Sequence, residues 1–381
     1  MAGKHFYNGL KMGILGGGQL GRMLIQSAID YNIYSAVLDP DEDAPCKHLC
    51  SSFYHGSFND FDTVMGFGKD LDIITIEIEH VNVGALEVLQ KMGKKVFPEP
   101  RIIRMVQDKG LQKQFFKNND IPTSDFVLVE NKEEILQHAH FLPVFQKNRL
   151  AGYDGRGVKK IATINDIPAA LEGASVLEKQ VDYVKEISIV CARNPLGETA
   201  FYSPVEMVLH PTRHLLEFMI APAEISEEAS AKALHIASQI IEKLDYVGIL
   251  AIEMFVDAED NVLVNEMAPR PHNSGHHTIE ACITSQYNQH IRAIFGLPLG
   301  STADIMPSAM LNLLGEEGYS GDAVYEGIEE AMKIQGVYVH LYGKAKTKPF
   351  RKMGHVTILG EDKKALIEKV NIVRNLIKVK A

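Results

Sequence analysis

The chain has 381 residues, 46% of them hydrophobic and 23% charged, which is the balance of a folded globular protein with room for two or three domains around one site. Its formal net charge of −10 works against a polyphosphate backbone, so nucleic acid is not expected as a partner, although a small anion needs only a local basic pocket. No apolar run reaches membrane length, the start MAGKHFYNGL lacks the parts of a secretory signal, and Cys46, Cys50, Cys191 and Cys282 are too scattered for a disulfide framework; a cytoplasmic location with no membrane partner is the expectation.

Short β-branched runs at residues 11–15, 33–38, 72–78 and 95–97 alternate with helical patterns, predicting a parallel α/β domain over residues 1–100. Directly after the first run, Gly16-Gly17-Gly18-Gln19-Leu20-Gly21 satisfies G-x-G-x-x-G and opens a helix whose amides favour an anion, and Asp39 follows the second run. Three readings stay open for this loop: a tight strand-to-helix turn, a site for a substrate phosphate, or the fingerprint of a nicotinamide dinucleotide in an oxidoreductase.

A basic amphipathic helix is expected over residues 101–119, ended by Ile121-Pro122. Strands at 144–147, 158–161, 175–178 and 186–193, joined by turns and one short helix, then suggest an antiparallel α+β lobe. Between the first two, residues 147–157 combine three glycines with Lys147, Arg149 and Arg156, a composition suited to a loop that folds over phosphates, or to a basic surface hairpin. Glu178-Lys179-Gln180-Val181 reads as an edge segment offering backbone groups to an adenine, with Glu186 placed to take ribose hydroxyls.

A helix over 227–244 precedes two strands, 248–256 and 262–267, which place Glu253 and Glu266 almost evenly about the turn Asp257-Ala258-Glu259-Asp260-Asn261. In a regular hairpin these acids face one another, an unfavourable pairing unless a cation neutralises it. Magnesium reaches proteins through one or two carboxylates plus substrate phosphates, and apolar neighbours on both strands favour that reading over two solvated glutamates. A helix is expected over 274–295, then strands near Met310 and Tyr338 and a helix from Asp362 onward. His276 and His277 read as packing or polar residues at a helix start.

Taken together the chain resembles the ATP-grasp superfamily and, within it, the N5-carboxyaminoimidazole ribonucleotide synthases. The matching residues run over nearly the whole length: Gly16 to Gly21 with Arg22-Met23, Leu38-Asp39-Pro40, Glu77-Ile78-Glu79, Gln107-Asp108-Lys109, Gly152 to Gly157, Tyr246-Val247-Gly248, Asn265-Glu266 through His276, and Arg351-Lys352-Met353-Gly354-His355. The resemblance implies a pre-ATP-grasp α/β domain over 1–100, an ATP-grasp domain over 101–300 with a mobile lid at about 110–185, and a small C-terminal domain over 301–381. It implies carboxylation of aminoimidazole ribonucleotide with ATP and bicarbonate through carboxyphosphate, without biotin, by a homodimer.

By the same resemblance Lys109, Lys147, Gly152, Gly155, Gly157, Glu178, Lys179, Gln180, Val181, Glu186 and Asn265 serve ATP, while Glu253 and Glu266 hold Mg2+. Asp154, Arg270, His272 and Asn273 are the implied catalytic set. Gly18, Gln19, Leu20, Glu77, Tyr153, Arg156, Lys344 and Arg351 would line the ribonucleotide. Leu150, Ala151 and Phe350 depart from the Thr-Gly and Gly expected at those places. The nearest alternative in function is the formate-using glycinamide ribonucleotide transformylase, which shares the fold and the metal pair.

Overall fold

The computed structural model describes residues 5–150, 157–209 and 216–381. Strands β1 (Lys11–Leu15), β2 (Tyr34–Asp39), β3 (Ser52–His55), β4 (Ile73–Ile76) and β5 (Lys95–Val96) form a parallel sheet in the order β3-β2-β1-β4-β5. Helices α1 (Gln19–Ile29), α2 (Phe61–Gly68) and α3 (Val83–Lys91) lie between its strands in sequence. Strand β3, half-buried to exposed at the sheet edge, carries no apolar run and was not expected.

The single helix expected over 101–119 is two, α4 (Pro100–Gln107) and α5 (Lys109–Asn118). Asp108 is extended (φ −115°, ψ 105°), and its carboxylate accepts the N–H groups of Gly110 and Leu111 at 2.8 and 3.2 Å, so it ends one helix and caps the next. Strands β6 (Phe126–Val129), β7 (Val144–Asn148), β8 (Val158–Ile161) and β9 (Ser175–Lys179) then build an antiparallel lobe in the order β6-β9-β7-β8.

The rest of the chain contains β10 (Lys185–Arg193), β11 (Thr199–Phe201), β12 (Val205–Leu209), β13 (Leu216–Ala221), β14 (Gly248–Val256), β15 (Val262–Ala268), β16 (Ser308–Leu314), β17 (Gly321–Asp322), β18 (Val324–Glu326), β19 (Val337–Leu341), β20 (Lys346–Thr347), β21 (Lys352–Leu359) and β22 (Lys378–Lys380). A 9-stranded antiparallel sheet follows the path β15-β14-β10-β12-β13-β16-β21-β19, with β11 beside β10; β17 pairs with β20, and β18 with β22. Strand β10, expected in the lobe, therefore belongs to this large sheet. The strands after residue 308 extend the same sheet through the β13–β16 pairing.

Helix α6 (Glu227–Lys243), capped by Ser226, lays its apolar stripe of Ala229, Ala233, Ile236 and Ile240 against β10, β14 and β15. In place of one helix over 274–295 the chain makes a short turn, Asn273–Gly275, then α7 (Thr278–Ala281) and α8 (Gln286–Phe295), because Ser285 starts a new helix by accepting Asn288 N–H at 3.2 Å. Helix α8 ties the two sheets together. Its Tyr287, Ile291 and Ile294 share one buried cluster with Met12, Leu20 and Met23. His290 accepts Ile249 N–H (3.1 Å) through Nδ1, which leaves the proton on Nε2 to donate to Thr75 Oγ1 (2.9 Å). Helices α9 (Ile328–Met332) and α10 (Lys363–Leu376) cover the C-terminal strands, and no helix among the described residues is long and apolar enough to cross a membrane.

Candidate active site

A cavity of about 650 Å³ opens where the parallel sheet, the lobe and the β14–β15 hairpin meet. Its acidic wall is the hairpin. Glu253 and Glu266 are direct partners across the ladder, as a regular hairpin would predict, yet the hairpin is not regular: beyond the turn Phe255 pairs with Leu263 and Met254 with Val264, and a bulge then skips Asn265. Without it Glu253 would face Asn265 and Glu266 would sit on the other face of the sheet. The extra residue brings Asn265 and Glu266, neighbours in sequence, to the same cavity wall.

The two acids are held in different states. Lys109 Nζ lies 2.8 Å from Glu266 Oε2, and with Lys147 behind it holds Glu266 down to about 2 against the cost of burial. Burial, reinforced by the charges of Glu266 and Glu186, pushes Glu253 well above the usual carboxylate range. Glu186, also on this wall, is raised to about 7 chiefly by burial. Two facing carboxylates, only one of them met by a close ammonium group, are a donor set that would fit a hard divalent ion. Among the described residues no group of three or more His, Cys, Asp or Glu side chains forms a metal cage.

The cations come from the opposite side. Arg149 grips Asp108 with two parallel bonds, Nε to Oδ1 at 2.9 Å and Nη2 to Oδ2 at 2.6 Å, and its carbonyl accepts Lys109 N–H at 2.9 Å, fixing Lys109 at the start of α5. Lys147 bridges Asn265 Oδ1 (3.0 Å) and Glu178 Oε1 (3.1 Å), and Lys113 meets Glu178 Oε2 at 3.0 Å. Glu178 is buried but stays below its usual range because these two ammonium groups offset its burial. Its strand is not an edge: β9 is flanked by β6 and β7, and Lys179 spends its ammonium on Phe141 O at 2.8 Å. Only past Lys179, at Gln180 and Val181, does the backbone leave the ladder.

The segment after Glu266 crosses the cavity. Arg270 Nη2 is 2.7 Å from Glu79 Oε1. His272 Nδ1 lies 3.0 Å from Ser274 Oγ and 3.4 Å from Ser274 N, which turns Nε2 toward Glu253 Oε1 at 3.6 Å. Asn273 is buried on the cavity wall, and neither Oδ1 nor Nδ2 meets a hydrogen-bond partner among the described residues, so both can serve a ligand.

The glycine loop differs from its expected use. The N–H groups of Gly18 and Gly21 donate to Glu77 Oε1 and Oε2 at 2.8 and 2.7 Å, so the helix N-terminus already holds an anion, a carboxylate supplied from the end of β4. Asp39 is likewise occupied, accepting Gly17 N–H at 2.6 Å and Asp41 N–H at 2.7 Å instead of standing ready for a ribose. Gln19, Leu20 and Glu77 still line the cavity. Lys344 donates to Lys352 O (2.7 Å) and Arg351 to Lys346 O (2.6 Å), and it is Lys352 that reaches the wall. Gly157 is described; Gly152, Tyr153, Asp154, Gly155 and Arg156 lie outside the described residues. Glu79, Gln112, Arg149 and Lys352 also face the cavity; Glu79 and Lys352 stand in matching motifs without a site role, Arg149 is a cation of the glycine-rich segment, and Gln112 is not singled out from the sequence.

An acidic hairpin opposed to a basic antiparallel lobe, beside a parallel α/β sheet, defines an ATP-grasp ligase. Residues 114–287 match the ATP-grasp domain, 10–107 the ribonucleotide synthetase preATP-grasp domain, and 308–369 the phosphoribosylaminoimidazole carboxylase C-terminal domain. The chain belongs to the N5-carboxyaminoimidazole ribonucleotide synthase family. It is 34% identical to the N5-carboxyaminoimidazole ribonucleotide synthase of Bacillus subtilis, with 97% of each covered. The crystal structure of the synthetase from Thermotoga maritima superposes with a TM-score of 0.91 at 42% identity, covering 98% of this chain and all of that one. The Aspergillus clavatus synthase, solved with ADP and 5-aminoimidazole ribonucleotide, gives 0.87 at 30%, covering 97% and 99%. The chain spans 64% and 66% of the length of longer plant and yeast phosphoribosylaminoimidazole carboxylases that it also matches.

Proposed function

We propose that the chain uses ATP and bicarbonate to carboxylate 5-aminoimidazole ribonucleotide to N5-carboxyaminoimidazole ribonucleotide in purine biosynthesis. The observation that carries this is one cavity lined together by the Glu253–Glu266 pair, Lys109, Arg270, His272, Asn273, Gln19 and Glu77. These are groups suited to a phosphate donor, a small oxyanion and an acceptor nucleotide meeting in one place.

A bicarbonate oxygen attacks the γ-phosphorus of ATP, ADP leaves, and carboxyphosphate forms. Lys109 and Lys147 face the polyphosphate charge while Arg270, Asn273 and His272 surround the oxyanion. Glu253 and Glu266 would hold a magnesium ion, which would supply neutralisation of the polyphosphate charge. The exocyclic amine of the ribonucleotide then attacks the carboxyl carbon and phosphate departs. Asp154 takes the amine proton, and Tyr153 and Arg156 contact the nucleotide, roles that rest on the resemblance alone. Gln180 and Val181 frame the adenine and Glu186 the ribose. Glu77, pinned by the glycine loop, presents its carboxylate to sugar hydroxyls, so the nucleotide phosphate turns toward Lys352 and its neighbours Lys344 and Arg351.

The division at about residues 100 and 300, a cytoplasmic location and a homodimeric state belong to this same reading. Four free cysteines agree with a reducing compartment. A coupled ATPase assay tests the function. Release of ADP should require both bicarbonate and aminoimidazole ribonucleotide, and release driven by formate and glycinamide ribonucleotide would overturn it.

A further inference from the structure

His276 follows the segment that carries Arg270, His272 and Asn273, and its sequence context reads as helix-start packing. The structure gives it a more defined setting. It is 1% exposed, forms part of the cavity wall, and is held from behind by two residues of α8. Tyr287 OH lies 2.9 Å and Gln286 Nε2 3.3 Å from His276 Nδ1.

The direction of these bonds follows from the Gln286 amide. Its Oε1 accepts His272 N–H at 2.9 Å, so the opposite atom is the NH2 group, which donates to His272 O at 2.7 Å and to His276 Nδ1. Gln286 is fully buried, and turning its amide over would set Nε2 against His272 N–H and Oε1 against His272 O, breaking both bonds. Gly275 lets it pass, since a Cβ there would collide with the Gln286 amide. Nδ1 therefore accepts, and the proton of a neutral ring sits on Nε2. Charging the ring is opposed by burial and by the surrounding positive or chargeable groups His272, Lys352, His340 and His277, with the His355 ring centred 4.6 Å away and tilted by 36°.

We propose that His276 is a further substrate-binding residue of this cavity, a neutral donor whose Nε2–H bonds an oxygen of bound substrate, and that Gln286 is the positioning residue that fixes its tautomer and the His272 peptide together. The ligand chemistry is an oxygen acceptor of bicarbonate or of the ribonucleotide, and the assignment rests on the carboxylase reading above.

Two measurements on the full chain test it. In 15N-histidine-labelled protein, the signal absent from His276→Gln should show a protonated Nε2 and an unprotonated Nδ1, unchanged between about pH 6 and about pH 8. It should lose that bias in Gln286→Leu, and a His276 protonated on Nδ1 would overturn the proposal. In steady-state assays His276→Leu should raise KM for one of the two substrates by about tenfold with a smaller change in kcat, and His276→Gln, which keeps a donor near Nε2, should restore most of it. The substrate whose KM moves identifies the oxygen. A folded His276→Leu with both KM values unchanged overturns the assignment while leaving the carboxylase intact. Should His276→Leu fail to fold, titrating wild-type labelled protein with bicarbonate and with the ribonucleotide decides: a shift of the Nε2 signal with either supports the bond, and none with both overturns it. Absence of turnover in the wild-type chain sinks the carboxylase reading and this assignment with it.

Discussion

Replacing His290 with glutamine should flatten the acid sensitivity of the fold by a calculable amount. His290 is fully buried between the two sheets, accepting Ile249 N–H and donating to Thr75 Oγ1, and burial pushes its pKa down to about 3. In the unfolded chain it titrates near 6.5. A lowered folded-state pKa means that the unfolded chain binds the proton first, so the contribution is present above about 6.5 and is lost as pH falls toward 3. At about pH 5 the unfolded state has gained roughly 1.5 decades of proton binding and the native state almost none, which costs about 2 kcal/mol. His277, lowered to about 4 by burial, adds a cost of similar size. Carboxylates raised by burial, Glu253 among them, work in the opposite sense, so the total slope mixes signs and the difference between variant and wild type is the quantity to read. With no tryptophan in the chain, urea unfolding is followed by circular dichroism at about pH 7.5 and about pH 5. His290→Gln should lose about 2 kcal/mol less than wild type between them. Equal losses would show that His290 is not held neutral between the sheets, and the tautomer assigned to it would be wrong.

Glu266→Gln removes the carboxylate that pairs with Lys109, and kcat for ADP release should fall by about 100-fold or more while far-ultraviolet circular dichroism is preserved; near-normal turnover would remove Glu266 from the metal and phosphate site. Glu79→Ala frees Arg270 from its 2.7 Å partner, and the KM for bicarbonate should rise about tenfold with a smaller change in kcat. An unaltered bicarbonate KM would detach the Glu79–Arg270 pair from the oxyanion site. Because burial raises Glu253, metal–ATP binding at the hairpin should release a proton and strengthen as pH rises, and Glu253→Gln should reduce that release, measured as base uptake in an unbuffered titration; an unchanged release would remove Glu253 from the site.

What the sequence could show of this site depended on range. Acids at 253 and 266 on two apolar strands about a polar turn are a local pattern, and the facing pair follows from it. The bulge at Asn265 that makes the pairing true is one residue of slack, invisible to a period of two. Single helices were expected over 101–119 and 274–295 because apolar spacing continues through both breaks; Asp108 and Ser285 override it as caps. The glycine loop was legible as an anion site, but the anion comes from Glu77, 59 residues beyond Gly18, and only the fold brings it there. Likewise β9 has the composition of an exposed charged strand and lies in the middle of its sheet, its Glu178 neutralised by Lys113 and Lys147. For the C-terminal basic run the resemblance implied Arg351, and the structure adds its neighbour Lys352, at the start of β21, as a residue of the cavity wall.

The inequality of the two hairpin acids also says where a cation is most needed. Glu266 has Lys109 at 2.8 Å and Lys147 nearby, so its charge is met by protein groups before any ligand arrives. Glu253 has the His272 ring, Nε2 at 3.6 Å, as its nearest basic partner, and two like charges close by in Glu186 and Glu266. A second ammonium in place of His272 would ionise Glu253 permanently and close the site with an ion pair costly to reopen. An imidazole at 3.6 Å makes no such commitment, so under the proposed function the charge that completes the hairpin would come with the nucleotide, next to the segment from Arg270 to Asn273.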